Sequence, residues 1–427
     1  MTQTKEIKKT PCQALAGNKK KKAQKNVPTL RFGGFSGDWE AEELEDVFEK
    51  NANKNLNDEY DFVLTNSAIK GIVSQRDYFD KDIANKNNLT NYYIVDIDDF
   101  VYNPRISKYA PVGPLKRNNL KQGVMSPLYT VLKPEQGDLS FLEKYFETKK
   151  WHRHMYRIAN YGARHDRMNI IQSDFMKMPI KMPILPEQQK IAGFLGEADE
   201  WLTNLEKQKE ELEKYKKGIM QKIFSQNIRF RDENRNAFAD WEEKRLGDVT
   251  NFMKGKGLSK NDIISNGENA CIHYGELFIK YNEVITNIIS KTDLEKEKMF
   301  LSEKNDILMP TSDVTPNGLA TASALSKKDI ILGGDILIIR GKDVLNNFFA
   351  YWVNINKKKI MRLVSGVTVY HVYGSDMKTL KINLPSFLEQ QKIADFLSSI
   401  DEVIQLKQDQ ITGVKEWKKG LMQKLFV

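Results

Sequence analysis

The chain has 427 residues, 29% of them charged and 40% hydrophobic, enough for two or three domains with cores of their own, and no apolar run approaches the length that crosses a bilayer. Two cysteines, Cys12 and Cys271, allow at most one disulfide, which argues against a secreted, stapled fold and fits a reducing cytoplasm. A net charge of +9 favours an anionic partner, and nucleic acid is the commonest.

In chain order, residues 1–28 read as a disordered basic tail, polar, lysine-rich and without apolar periodicity; no apolar segment of a signal peptide stands behind the basic stretch. Residues 29–183 form a first mixed domain that opens with "LRF" at Leu30 and "SGDWEAEELEDVFEK" at Ser36 and continues through strand-like runs such as "NYYIVDIDDFVYNP", broken by turn residues. Residues 184–227 are a helical spacer, running from "EQQKIAGFLGEADEWL" at Glu187 to "KKGIMQKIF". A second mixed domain spans 228–384, with "IRF" at Ile228, "FADWEEKRLGDVTNF" at Phe238, the strands "GGDILIIRGKD" and "GVTVYHVYG", and the amphipathic helix "NNFFAYWVNINKKKIMRLV". Residues 385–427 return to the spacer as "EQQKIADFLSSIDEVI" and "KKGLMQKLF", with Ser386 and Glu389 placed for a capping box.

The second half of the chain copies the first at a fixed shift. Gln188 maps to Gln390 (390 − 188 = 202), Trp39 to Trp241 (241 − 39 = 202), and the same step carries Asp199 to Asp401. The middles between these copies share little, so the repeat predicts a pseudo-two-fold molecule with two unlike domains.

Read in a 4-3 step, the first spacer aligns Ile191, Leu195, Ala198, Leu202, Leu205, Leu212, Ile219 and Ile223 on one stripe with Lys209 and Lys216, and the second aligns a matching stripe with Lys407 and Lys418. Such a seam favours coiled-coil packing over about 55 Å. If the helices run antiparallel, Leu205 faces Ile411 and Lys209 faces Lys407. Either those two lysines fix the register or both are simply solvated.

Two variable middles alternating with two near-identical long helices, together with "VYNPRISKYAPVG", "GVMSPLYTVL" and "YGARHDRMN", resemble the specificity subunit of type I restriction-modification systems. The resemblance implies an α+β chain of two globular mixed α/β target recognition domains separated by two long antiparallel coiled-coil helices. Each domain then reads one half of an asymmetric double-stranded DNA target, and the helices set the spacer and dock two methylation subunits. Restriction subunits complete an ATP-driven nuclease. S-adenosylmethionine, ATP and Mg are expected on those partner subunits, with no cofactor on this chain.

The densest basic and aromatic stretch is "KKWHRHMYRIANYGARHDRMN", whose Arg153, Arg157, Arg164, His165 and Arg167 suit phosphates and guanine edges. A solvated helix face is the rival for the part before Tyr161. Tyr102, Asn103, Lys108 and Tyr109 in "VYNPRISKY" come next, against turn formation by Asn103 and Pro104. In the second domain Thr311, Ser312, Asp313 and Thr315 could read base edges or shape a turn, and Arg340 and Lys342 suit phosphates. Ser365, Thr368, Tyr370 and His371 occupy the place of the "GARHDR" loop without its arginines, so a different half-site is expected there.

No motif for catalysis is found. "NPRI" at Asn103 is not an adenine-methyltransferase loop, "RGKD" is not a Walker A segment, and Cys271 with His273 fits a core better than a zinc site. A non-catalytic recognition subunit is therefore favoured over a self-sufficient methyltransferase or nuclease, and over a coiled-coil scaffold.

Overall fold

A computed structural model describes residues 26–79, 89–160, 166–314 and 316–427. The chain divides into two compact units, Met1–Trp201 with Val414–Val427 (unit 1) and Leu202–Gly413 (unit 2). The two long helices, Leu185–Phe224 and Phe387–Leu425, are each shared between the units. Their apolar stripes supply core that neither unit has alone: Ile191, Leu195, Leu425 and Phe426 belong to the core of unit 1, and Met220, Ile223, Ile393 and Leu397 to that of unit 2. Fully burying one such side chain contributes about 1.5–3 kcal/mol. Most of the basic tail lies outside the described residues, but Asn26 is already part of unit 1, its carbonyl accepting from Trp39 N at 2.7 Å.

In unit 1 a four-stranded antiparallel sheet runs Phe48–Asn51, Thr130–Pro134, Phe100–Tyr102, Leu115–Arg117. Two antiparallel pairs adjoin it, the hairpin Leu64–Ser67 with Gly71–Ser74 and the non-local pair Tyr93–Val95 with Gly123–Met125. The helix Leu139–Glu147 buries Phe141, Leu142, Tyr145 and Phe146, and Asp138 caps it by accepting from Phe141 N at 2.8 Å.

Unit 2 has a larger sheet of five strands, in the order Thr250–Lys254, Ile336–Gly341, Asp306–Pro310, Ser323–Leu325, Val284–Ile285. Its helix Asn346–Ile355 is apolar nearly all round and correspondingly buried, so it sits inside the unit rather than on it.

What the two units share is the frame that receives the long helices. Glu40–Glu43 pairs antiparallel with Pro179–Met182 in one unit, and Glu242–Arg245 with Lys381–Leu384 in the other. The arginine of each "RF" pair reaches the first glutamate of each "EQQK": Arg31 to Glu187 at 2.6 Å and Arg229 to Glu389 at 2.8 Å, both carboxylates buried. A buried carboxylate is stable only when paired and hydrogen-bonded, so each arginine fixes where its helix begins. The next residue docks a shorter helix. Gln188 Oε1 accepts from Asp138 N at 2.8 Å, and Gln390 Oε1 accepts from Leu345 N at 2.9 Å.

Within unit 1 the start of the first long helix meets the end of the second, with Trp417 packing edge-on to Phe194 at 5.8 Å and Trp201 at 6.4 Å. Within unit 2 the end of the first helix meets the start of the second, the antiparallel order that the sequence predicts. Interhelix polar contacts are reciprocal. Lys418 binds Asp199 in unit 1, and Lys216 binds Asp401 at 2.6 Å in unit 2. These are the repeat-equivalent partners exchanged (418 − 216 = 202; 401 − 199 = 202). Of the two lysines for which the sequence leaves register or solvation open, Lys209 pairs along its own helix with Glu213 at 3.1 Å, while Lys216 and Lys418 make the cross-helix bonds.

Candidate nucleic-acid interface

Unit 1 carries a cleft of about 640 Å³ lined by two segments that the sequence singled out separately, Asn103–Tyr109 and Arg167. Backbone hydrogen bonds from Ile106 N to Asp166 O (3.0 Å) and Met168 N to Pro104 O (2.9 Å) join them. Asp166 lies 3.6 Å from Arg105 and 3.9 Å from Arg167, leaving two guanidinium groups on one carboxylate. Tyr109 is exposed with the Lys108 ammonium 4.8 Å from its ring centre, a cation and a stacking face side by side. Asn103 is engaged locally: its Oδ1 accepts from Arg105 N and its Nδ2 donates to Asn66 O, both at 3.0 Å, so it builds the turn at the cleft wall.

Tyr102 is a correction. It is 3% exposed, its hydroxyl donates to Val112 O at 2.8 Å, and burial pushes its phenol well above the usual range. It is core, like Phe100 and Val101 before it in the same strand, whose residues are all buried. Arg153 and Arg157 are exposed on the helix His152–Ile158, and Arg157 is bonded at 2.9 Å to His154 Nδ1, whose Nε2 donates to Asp174 O at 3.0 Å. Arg164 and His165 lie outside the described residues.

The cleft is completed by residues that sequence reading missed: Thr65, Asn66, Tyr78, Phe79, Ser126 and Tyr129. Asn66 and Thr65 stand in a four-residue strand, "LTNS", buried throughout although three of its residues are polar, and that composition was the available signal. Asn66 Nδ2 donates to Val101 O and Pro114 O, while its Oδ1 has no hydrogen-bond partner among the described residues.

Unit 2 also brings separated segments together. Ser312–Asp313 pairs antiparallel with Tyr370–His371, with Ser312 opposite His371 and Asp313 opposite Tyr370. Ser365 and His371 exchange both backbone hydrogen bonds, 3.0 and 2.7 Å, closing a loop that presents Thr368 to solvent. Thr311 is buried beside it, its carbonyl accepting from Val372 N at 3.1 Å. A cleft of about 490 Å³ lined by Thr311, His371, Tyr373, Lys254 and Lys378 adjoins this ribbon. Thr315 lies outside the described residues.

Arg340 is the second correction. Its Nε donates to fully buried Asp306 at 2.7 Å, its Nη1 to Glu303 at 2.5 Å, and Phe300 covers its face at 5.5 Å. The bond to Asp306 raises its pKa further, so it serves as counter-ion to a buried carboxylate and has little charge left for a phosphate. Lys342, two residues on, is exposed and suits that role better.

No group of three or more potential metal ligands occurs among the described residues. Cys271 is buried and unpaired, and burial, with the Glu276 charge, pushes its thiol up to about 11.

The family description "Type I restriction modification DNA specificity domain" matches this chain twice, over residues 36–214 and 239–416. The MjaX type I restriction enzyme specificity subunit of Methanocaldococcus jannaschii is 25% identical over 431 aligned residues, covering 94% of this chain and 96% of that one. The MjaVIII specificity subunit of the same organism is 25% identical over 266 residues, covering 59% of this chain and 62% of its own. Among solved structures, the S subunit of a type I restriction-modification system from M. genitalium shares the fold at a TM-score of 0.54 and 16% identity, over 94% of this chain and 99% of that one. A chain from a structural study of complex assembly and conformational transition in a type I R-M system does so at 0.56 and 13%, over 91% and 97%. With two copies of the domain on one repeated helical frame, the chain belongs to the type I restriction-modification DNA specificity family and has the two recognition domains of a specificity subunit.

Proposed function

We propose that unit 1 and unit 2 each read one half of an asymmetric, bipartite double-stranded DNA target, and that the long helices set the gap between the halves and dock two methylation subunits. Catalysis then belongs to partners: S-adenosylmethionine to the methylation subunits, ATP and Mg to restriction subunits, with the whole assembly in the cytoplasm. No helix among the described residues is long and apolar enough to cross a membrane. The observation that carries the reading is the contrast between a frame that repeats its arginine–glutamate pairs, Arg31–Glu187 against Arg229–Glu389, and surfaces that differ: a cleft with two arginines and tyrosines in one unit, a polar and apolar β-ribbon in the other. Selection for one frame with two unlike faces is what two different half-sites require.

The test is to express the chain with its methylation subunits and sequence the modified bases. A two-part asymmetric motif is expected, and exchanging residues 228–384 for those of another family member should change one half only. Methyl transfer by the purified chain alone, or a motif without a gap, would overturn the reading.

A further inference from the structure

Three valines stand exposed on the ribbon of unit 2. Val367 is 89% exposed, Val314 70% and Val369 42%. Val314 follows Asp313 and Val369 precedes Tyr370, so both stand at the same end of the ribbon, just beyond its last paired positions. Val367 projects from the loop closed by Ser365 and His371, whose turn depends on Gly366 at φ +118°, where a Cβ would lie 2.1 Å from Val369 O. Gly366 thus fixes the loop that carries Val367. Isolated exposed apolar residues need no explanation, but three β-branched ones on a single ribbon leave apolar surface without a partner.

The major groove of DNA admits a two-stranded β-ribbon, and the one apolar group it offers for base-specific contact is the thymine 5-methyl. Lys378 lines the cleft beside the ribbon, on the side of His371, where phosphates flanking a groove would lie, next to Lys254, which pairs with Asp335 at 3.3 Å. We propose that Val314, Val367 and Val369 pack against thymine methyl groups, making unit 2 a reader of A·T pairs in its half-site. The inference rests on the DNA-reading function proposed above.

The test uses the full complex with its partner subunits and duplexes in which each thymine of the unit 2 half-site is replaced by uracil, which lacks only the methyl. Wild-type affinity should fall about four-fold per contacted methyl. Val367→Ser and Val369→Ser, at positions too exposed for folding to depend on them, should bind the thymine duplex as weakly as the uracil one and lose the difference between them. A half-site without A·T pairs, or equal binding of thymine and uracil duplexes while a scrambled half-site is rejected, overturns this inference alone. Equal binding of the scrambled half-site overturns the DNA-reading function with it. If the serine variants instead fail to assemble with the partner subunits, the valines face protein and the inference falls.

Discussion

The two units solve one electrostatic problem in opposite ways. In unit 1, Asp199 sits between two lysines, Lys144 at 2.7 Å and Lys418; burial pushes its carboxyl up, but the two cations outweigh that and leave it below the usual range. In unit 2 the equivalent Asp401 must share a single lysine, Lys216, with Glu283 at 2.8 Å; burial again pushes up, and here it prevails, leaving the carboxyl above the usual range. Tyr351 takes the place of the second cation, its hydroxyl donating to Asp401 at 2.6 Å. A pseudo-symmetric helix pair can therefore keep its cross-helix bonds while each neighbouring domain sets how firmly they hold.

The largest effect expected is at Lys216. Replacing it by alanine leaves Asp401 and Glu283 without a cation among the described residues and should lower stability by about 3 kcal/mol. Lys418→Ala should cost only about 1 kcal/mol, because Lys144 remains on Asp199. Urea unfolding of both variants measures the difference, and equal losses would break the comparison.

Acid sharpens it. The depressed carboxyl of Asp199 contributes stability at neutral pH that is lost as the pH falls through its folded pKa, whereas the raised Asp401 contributes most below about pH 4 and less as the pH rises. Asp99 in unit 1 behaves like the latter. Burial lifts it to about 6 despite bonds from Asp96 N and Asn51, so its stabilising protonated form is lost as the pH rises through that value. Asp99→Asn should raise stability at pH 7 by on the order of 1–2 kcal/mol, part of the effect being screened by solvent, and flatten the melting temperature between about pH 4 and 7. An unchanged pH profile would remove Asp99 from the account.

The smallest effect separates the two docked helices. Asp138→Ala removes the cap of Leu139–Glu147 and should cost about 1 kcal/mol by thermal melting. The corresponding position in unit 2 is Leu345, which has no side chain able to cap, so Leu345→Ala tests packing instead.

The long helices were legible because the chain states them twice, and Lys216 and Lys418 stood out in the apolar seam. Their partners did not, since Asp199 and Asp401 lie off the 4-3 stripe and only three-dimensional packing brings them across. Basic and polar patches were legible as chemistry but not as neighbours. Ser312–Asp313 and Tyr370–His371 are strands of two residues, too short for any periodic signal, and the link between Pro104–Ile106 and Asp166–Met168 is likewise non-local. Tyr102 and Arg340 misled for a related reason: an aromatic or basic residue looks the same on paper whether it meets solvent, or Val112 O and Asp306 across the fold.

Unit 2 is one unbroken stretch of chain, whereas unit 1 needs Leu425 and Phe426 in its core and receives Leu30 N on the carbonyl of Lys424 at 3.0 Å. On the ribosome the half that is begun first must therefore wait with its apolar interior incomplete while the later half is made and can close. Truncating the nascent chain after Gly413 would strand the earlier half, and not the later one, in the hands of chaperones.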